Sequence, residues 1–444
     1  MVNNAGVMML MAGGKRKPTK KQVKNEPTKP NRSNLVIGLT GPFGSGCGEM
    51  RKILEKLKFC SFKISEDIRK ELREKKGLIE KGELGWRKVL QDHGNKRRKK
   101  NRAYWIEKVR AKIDQARVGN KDIVIDGFRN FQEVQEIRRI YPLFFLVAIY
   151  AEKDERWKRV RDDYNGRYNE FETDDRRDRN EDFDWGQSVQ KCVDDADYVY
   201  FNNEHLVISQ QGKELPKTQE IERTLTEQAD DFVKLMKGEK NPRLPMPEEV
   251  QIAAAYVQSN SSTCEKRHVG AVITREQDGQ EFPISMGFNE NPGRVNTCSK
   301  QGACYKDEDM ISKLGALKKI HCIFCGKKHD TIKKPWVCCE CGASFKEWLH
   351  RNRNMELCMA IHAEERAILS LNGRSAEDST LYVTTFPCFQ CARLIIDAGI
   401  KRIVYVEAYP TPETAKFLKE ANIDVQPFSG FTARSFFRVF PKVN

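Results

Sequence analysis

His362-Ala-Glu364 and, beyond one short strand, Pro387-Cys388-Phe-Gln-Cys391 restrict this chain more than any other stretch. One imidazole and two thiols fill three corners of a tetrahedral zinc and leave the fourth open for water. Zinc brings such a water to a pKa of about 7, so a hydrolytic nucleophile is available at neutral pH. Glu364 is not needed as a ligand, and its place two residues after His362 suits a proton carrier. A closed structural site, or two buried thiols, would leave both the spare carboxylate and the missing fourth ligand unexplained. The pattern predicts a helix over Met355–Leu371 carrying His362 and Glu364, then a strand over Ser379–Thr385. A second helix, Cys388–Ala398, begins next to Pro387, where a helix N-terminus favours thiolates.

At 444 residues the chain has room for two or three domains. The net charge of +15 is unevenly spread, since residues 1–33 hold eight Lys and Arg against the single acid Glu26. That segment, rich in Pro, Asn and Thr, reads as a disordered basic tail. A second basic run, Lys96 to Arg102, has a helical context, and both runs are read as solvated or loosely attracted to polyanions. Fourteen cysteines grouped in C-x-x-C pairs within a long chain point to metal in a reducing compartment rather than to disulfides. Val7–Met11 is too short for a signal segment and Pro142–Ala151 is only strand-length, so a cytoplasmic protein without a membrane span is expected.

An α/β first domain is expected over residues 34–210. Leu35–Thr40 reads as a strand, Glu49–Lys58 as a helix, and between them lies Gly41-Pro-Phe-Gly44-Ser45-Gly46-Cys47-Gly48. Strand, glycine-rich turn and helix in that order form a phosphate cradle of backbone N–H groups. The turn departs from G-x-x-x-x-G-K-[ST] at both chemical positions, with Cys47 in place of the lysine and Gly48 in place of the hydroxyl. Lys121–Asp126 and Phe144–Tyr150 read as further strands, Glu155–Arg167 as an Arg-rich helix, and Ser65–Lys70 as an acceptor-side segment. Together these stretches resemble nucleoside monophosphate kinases. Without the lysine and the Mg²⁺ contact, nucleotide binding at Gly41, Gly44, Ser45, Gly46, Cys47 and Gly48 is expected, and phosphoryl transfer is not. Residues 211–247 read as a linker, helical over Thr218–Met236 and closed by three prolines.

Residues 248–444 open with a helix, Glu248–Ser259, and two β-rich stretches, His268–Thr274 and Phe282–Asn289, parted by Asp278-Gly279. The helix–strand–helix–strand that follows ends in Arg402–Glu407, giving a sheet with helices on both faces. Between Asn289 and the His362 motif lies an insertion with Cys322-Ile-Phe-Cys325-Gly and Cys338-Cys339-Glu-Cys341-Gly. Two C-x-x-C knuckles predict a zinc ribbon at about residues 320–345, held by Cys322, Cys325, Cys338 and Cys341, with Cys339 the alternative to Cys338. Cys264, Cys298 and Cys304 read as loop thiols.

Lys266-Arg267-His-Val-Gly-Ala-Val-Ile, Gly-Phe-Asn289, His362-Ala-Glu364 and Pro387-Cys-x-x-Cys391 resemble the deoxycytidylate deaminase family, with its cytidine-deaminase fold. The resemblance implies that Asn289 bonds the sugar, that Lys266 and Arg267 approach the phosphates, and that Glu364 is the general acid/base. With the kinase-like half and the ribbon, the organisation resembles bacterial antiphage dCTP deaminases, which convert dCTP and dCMP to deoxyuridine nucleotides. It implies one catalytic and one structural zinc and a homo-oligomer, and it leaves room for a regulatory nucleotide at the first domain and an inhibitory RNA. Three rivals stand beside this reading: a nucleic-acid cytidine or adenosine deaminase, an RNA- or protein-binding regulator with structural zinc only, and a kinase.

Overall fold

Val36–Thr40 (β1) is buried at all five positions, as expected of a strand covered on both faces of a parallel sheet. The computed structural model describes residues 34–181, 183–203, 217–238, 243–302, 304–305, 320–321, 327–329, 358–406 and 412–440. After β1 come Cys47–Lys56 (α1), Cys60–Lys63 (β2), Ile64–Glu74 (α2), Trp86–Lys100 (α3), Tyr104–Val118 (α4) and Ile123–Phe128 (β3). Then follow Phe131–Ile140 (α5), Phe144–Tyr150 (β4), Lys153–Val160 (α6), Tyr168–Arg179 (α7), Val189–Asp194 (α8), Tyr198–Phe201 (β5) and Lys217–Lys237 (α9). The strands lie in the order β5-β4-β1-β3-β2 and run parallel. Chain order reverses at β1, so a crevice opens at the carboxyl ends of β1, β3 and β4, where the glycine-rich turn emerges.

One local reading changes. Instead of one helix over Glu155–Arg167, α6 stops at Val160 and a 3₁₀ turn, Asp162–Tyr164, leads into left-handed Asn165 and Gly166. The helix expected over Thr218–Met236 is present as α9, and its Ala229, Phe232, Val233 and Met236 recur at helical spacing. All four are buried in one cluster with Met50, Ile53 and Leu54 of α1.

The second half comprises Pro247–Ser259 (α10), Gly270–Gln277 (β6), Gln280–Phe288 (β7), Cys298–Gln301 (α11), Ile320–His321 (β8), Lys328–His329 (β9) and Ala363–Leu369 (α12). Next are Thr380–Val383 (β10), Phe389–Asp397 (α13), Arg402–Tyr405 (β11), Pro412–Glu420 (α14), Asp424–Pro427 (β12), Gly430–Phe431 (β13) and Ala433–Val439 (α15). The second sheet has the order β12-β11-β10-β6-β7. Its β6–β7 hairpin turns at Asp278-Gly279, both with positive φ, and β10, β11 and β12 run parallel. β8 and β9 pair antiparallel on either side of Cys322 and Cys325, but those two cysteines and Cys338, Cys339 and Cys341 lie outside the described residues.

Alternation along each strand divides the second sheet's side chains between two cores. Ala271, Ile273, Leu381, Val383 and Ile403 pack with α12 and α13. Val272, Tyr382 and Val404 face the other way and join Ile252 and Ala255 of α10 in a cluster continuous with the first sheet's core. The chain then returns to where it began. β13 pairs antiparallel with β5, Gly430 opposite Val199 and Phe431 opposite Tyr198, and so caps the edge of the first sheet.

Candidate active site

The backbone before α12 sets the position of His362. Ile361 and Glu290 exchange two backbone hydrogen bonds of 3.0 and 3.1 Å, which requires extended geometry on both sides. The helix expected from Met355 therefore does not include residues 358–362; it starts at Ala363, with His362 as its N-cap at φ −70° and ψ 160°. Arg366, one turn into α12, donates to the carbonyls of Phe288 and Glu290, each at 3.0 Å, and so ties the helix to the end of β7. Gly287 makes that approach possible, because a Cβ there would lie 2.3 Å from the Ala363 carbonyl oxygen.

On the opposite side, β10 ends and the chain passes Phe386, which packs edge-on against Tyr405 with ring centroids 4.8 Å apart. Cys388 is the N-cap of α13 and Cys391 lies in its first turn. Both helix N-termini thus face one point, with His362 Nδ1 3.4 Å from Cys388 Sγ and 3.3 Å from Cys391 Sγ. Among the described residues this is a group of three ligand atoms within 4.8 Å of one another. Nitrogen with two sulfurs is the borderline-soft donor set that zinc takes, and three ligands suit a catalytic rather than a closed site. Hydrogen bonds from Cys391 and His362 draw the Cys388 thiol well below its ordinary value, giving it the thiolate character a ligand requires. Glu364 is 4 % exposed. Burial pushes its carboxyl up to about 7, against the pull of His362, so it can both accept and donate near neutral pH.

The remaining expected site residues are less uniform. Asn289 is buried, and its amide holds the backbone ahead of β6: Oδ1 accepts from Val269 N–H at 2.7 Å and Nδ2 donates to the Arg267 carbonyl at 2.9 Å. Lys266 and Arg267 are exposed on that segment. Sequence reasoning passed over Arg366, whose partners are remote backbone carbonyls, and Glu290, whose carboxylate accepts from the backbone and hydroxyl of distant Thr263 and from Asn291 N–H. Burial raises the Glu290 carboxyl, but bonds from Thr263 and Asn291 prevail and hold it low. Burial raises Cys298, and the neighbouring Cys264, Cys304 and Cys358 act in the same direction.

In the first domain the expected nucleotide turn has Gly41, Gly44 and Gly46 at φ 154°, 79° and 109°. Cys47 supplies no positive charge. Burial, reinforced by Asp126, pushes its thiol up to about 12. Two guanidiniums approach the Phe43 ring, Arg87 at 3.9 Å and Arg129 at 4.2 Å from its centroid.

An α/β sheet bearing H-x-E and C-x-x-C on facing helix N-termini is the arrangement of the zinc-dependent nucleobase deaminases. The family described as "Cytidine and deoxycytidylate deaminase zinc-binding region" matches residues 247–407, and "AAA domain" matches residues 37–184. Deoxycytidylate deaminase of Enterobacteria phage T4 is 36% identical over 183 residues, covering 38% of this chain and 84% of that protein. The Saccharomyces cerevisiae deoxycytidylate deaminase is 30% identical over 177 residues, 39% of this chain and 42% of that protein. A solved dCMP deaminase from cyanophage S-TIM5, in complex with dCMP and dUMP, is 19% identical and covers 42% of this chain and 99% of its own, with a TM-score of 0.26. The chain belongs to the deoxycytidylate deaminase family.

Proposed function

We propose that this protein hydrolytically deaminates free deoxycytidine nucleotides, dCTP and/or dCMP, to deoxyuridine nucleotides and ammonia. The observation that carries the reading is the convergence of His362, Cys388 and Cys391 beside a buried Glu364 whose pKa is about 7. Zinc held by those three residues supplies an acidified water at neutral pH. As the water oxygen adds to C4, Glu364 takes the water's proton at its carboxylate and delivers it to N3 of the cytosine ring. It then takes the proton of the new C4 hydroxyl and passes it to the amine, so that the C4–N bond breaks, ammonia leaves and the C4 carbonyl forms. Burial of Glu364 excludes competing water, and the Asn289 amide fixes the segment that brings Lys266 and Arg267 toward the phosphates.

A second zinc in the ribbon of Cys322, Cys325, Cys338 and Cys341 belongs to the same proposal, as do a homo-oligomeric state and a cytoplasmic location. The first domain is read as a nucleotide receptor without phosphoryl transfer, since the neutral Cys47 cannot do a lysine's work. The biological role assigned is depletion of dCTP during phage replication, tested by whether a Glu364→Ala strain loses protection while its protein level is unchanged.

One observation favours the nucleic-acid reading. Phe183 and Trp185 stack at 4.9 Å and 14°, and Lys99 and Arg102 lie over the Trp185 ring at 5.5 and 4.7 Å. Aromatic stacking beside a basic run is how single strands are held, and this is where a nucleic-acid substrate or an inhibitory RNA would contact the chain. The deciding experiment is ammonia release from dCMP, dCTP, CTP and a cytosine-containing oligonucleotide, wild type against Glu364→Ala. Turnover of a free deoxynucleotide that vanishes in the variant is expected. Turnover of the oligonucleotide alone would replace the proposal with the editing reading.

A further inference from the structure

Asn289 and Glu290 follow one another at the end of β7, and together they pin both ends of one short strap. The strap, residues 264–267, presents Lys266 and Arg267 on the surface. Its far end is held by the Asn289 amide through Val269 N–H and the Arg267 carbonyl, at 2.7 and 2.9 Å. Its near end is held by the Glu290 carboxylate. Oε2 accepts from Thr263 N–H at 3.0 Å and from Thr263 Oγ1 at 2.5 Å, while Oε1 accepts from Asn291 N–H at 2.8 Å. Ser262 Oγ adds a bond to the Asn289 carbonyl at 2.6 Å and accepts from Cys264 N–H at 3.3 Å. Bonds to an ionised acceptor are the stronger kind, and two of them meet on one oxygen at Thr263. With both ends fixed, a strap carrying two like charges has few conformations left to lose when an anion binds.

The backbone of Glu290 serves the other side of the site. Its N–H and carbonyl exchange bonds with Ile361, the residue before His362, and the same carbonyl accepts from Arg366 at 3.0 Å. One residue thus joins the strap to the segment that delivers a metal ligand, with the side chain acting on the strap and the backbone on the ligand. Replacing the side chain leaves the backbone bridge in place, so the two duties can be separated by experiment.

We propose that Glu290 is a positioning residue for the phosphate end of the substrate: its carboxylate fixes Thr263, and with it the places of Lys266 and Arg267 relative to His362. The proposal rests on the nucleotide-deamination reading and adds to it the residue that sets affinity for the substrate. Phosphates lie away from the reacting C4 and are held alike in the ground state and the transition state. Loosening the strap therefore appears in KM rather than in kcat.

The test uses the full-length, zinc-loaded protein and ammonia release from dCMP and dCTP, with zinc content measured alongside. The variants are Glu290→Ala, Glu290→Gln, Thr263→Val and the double variant Glu290→Ala with Thr263→Val. In Glu290→Ala the KM should rise about tenfold while kcat stays within about threefold, with zinc per chain unaltered. Thr263→Val, which removes only the hydroxyl donor, should raise KM about threefold. Glu290→Gln keeps the length and one acceptor oxygen, and its KM should lie between those of wild type and Glu290→Ala. The double variant should match Glu290→Ala, because both changes break the same contact. An unmoved KM in Glu290→Ala overturns the proposal, and so does a kcat that falls together with zinc content, which would make the carboxylate a support of the metal site. Effects that add in the double variant reject the route through Thr263. If Glu290→Ala does not fold, Thr263→Val decides, and an unmoved KM there rejects the strap. A wild type that releases no ammonia from either nucleotide removes the deamination reading and this role with it, whereas an active wild type matched by its variants removes this role alone.

Discussion

Glu249 is a single carboxylate on which three parts of the chain converge, and its removal is expected to destabilise both domains at once. It is fully buried at the start of α10 and accepts four hydrogen bonds. Two come from Arg243 at 2.7 and 2.8 Å, one from Met246 N–H at 2.8 Å, and one from Phe431 N–H at 3.0 Å. Phe431 belongs to the strand that caps the first sheet, so the carboxylate connects the second domain's first helix to the first domain's edge. In Glu249→Ala the buried Phe431 N–H loses its partner, a cost of about 1–3 kcal/mol. Arg243 is 27% exposed, so water recovers part of its charge. The sum, about 3–5 kcal/mol, is that of a broken buried pair, and it lowers the unfolding midpoint by roughly 10 °C. Calorimetry of wild type and Glu249→Ala at one protein concentration is the assay. The expected outcome is one transition, moved as a whole. A loss under about 1 kcal/mol, or two transitions of which only one moves, would refute the claim that the domains share a core through this contact.

Glu364→Gln keeps the shape of the site and removes its proton carrier, so kcat should fall about 10²–10⁴-fold with zinc content by plasma spectrometry unchanged. Cys391→Ser should lose activity together with one zinc per chain, and zinc retained at the wild-type level would count against its role as ligand. Arg366→Met removes both donors that fasten α12 to β7. A loss of about 2–4 kcal/mol in urea unfolding is expected, with reduced kcat/KM, and a stable, fully active variant would discount the tether. Burial raises the Glu71 carboxyl, but bonds from Lys108, Tyr104, His93 and Arg97 outweigh it and hold the group well below its ordinary 4.5. A depressed pKa gives stability that is present above the unfolded value and lost as pH falls toward the folded one. Glu71→Gln should therefore be less stable at pH 7 and show a flatter loss below about pH 4.5; parallel stability curves for the two proteins would exclude the linkage.

The parts of the site legible in the sequence were those whose chemistry is local. C-x-x-C places its two thiols within one helical turn of each other and H-x-E sets Glu364 close to His362, so each half of the site can be read from its spacing. The strands of both sheets were legible for a similar reason, since burial writes itself into runs such as Phe144–Tyr150. What was hidden depends on partners far along the chain. The helix carrying His362 begins later than its pattern suggests because Ile361 pairs with Glu290 across 70 intervening positions, a long-range bond that overrides propensity. The α9 segment looked like a linker because its surface is charged, yet its apolar stripe at 229, 232, 233 and 236 was a core signal available to a periodicity reading. Phe183 and Trp185 gave no signal as a platform for Lys99 and Arg102, because the two stretches are some 80 residues apart and meet only in the folded chain.

The shared core also makes the AAA-type half a structural partner of the deaminase half. A sheet needs both faces covered, and α12 and α13 cover only one face of the deaminase sheet. On the other face Val272, Tyr382 and Val404 are at most 2 % exposed, under α10 and in the cluster that continues into the first domain through Val406 and Phe428. The first sheet depends on the second half in turn, since Phe431 and Val439 are buried in its core and Arg438 packs on Phe145 at 3.9 Å. Neither sheet could lose the other without exposing apolar surface and an unpaired strand edge. Packing against the second sheet therefore holds the fold around Cys47 in place independently of any chemistry at that turn.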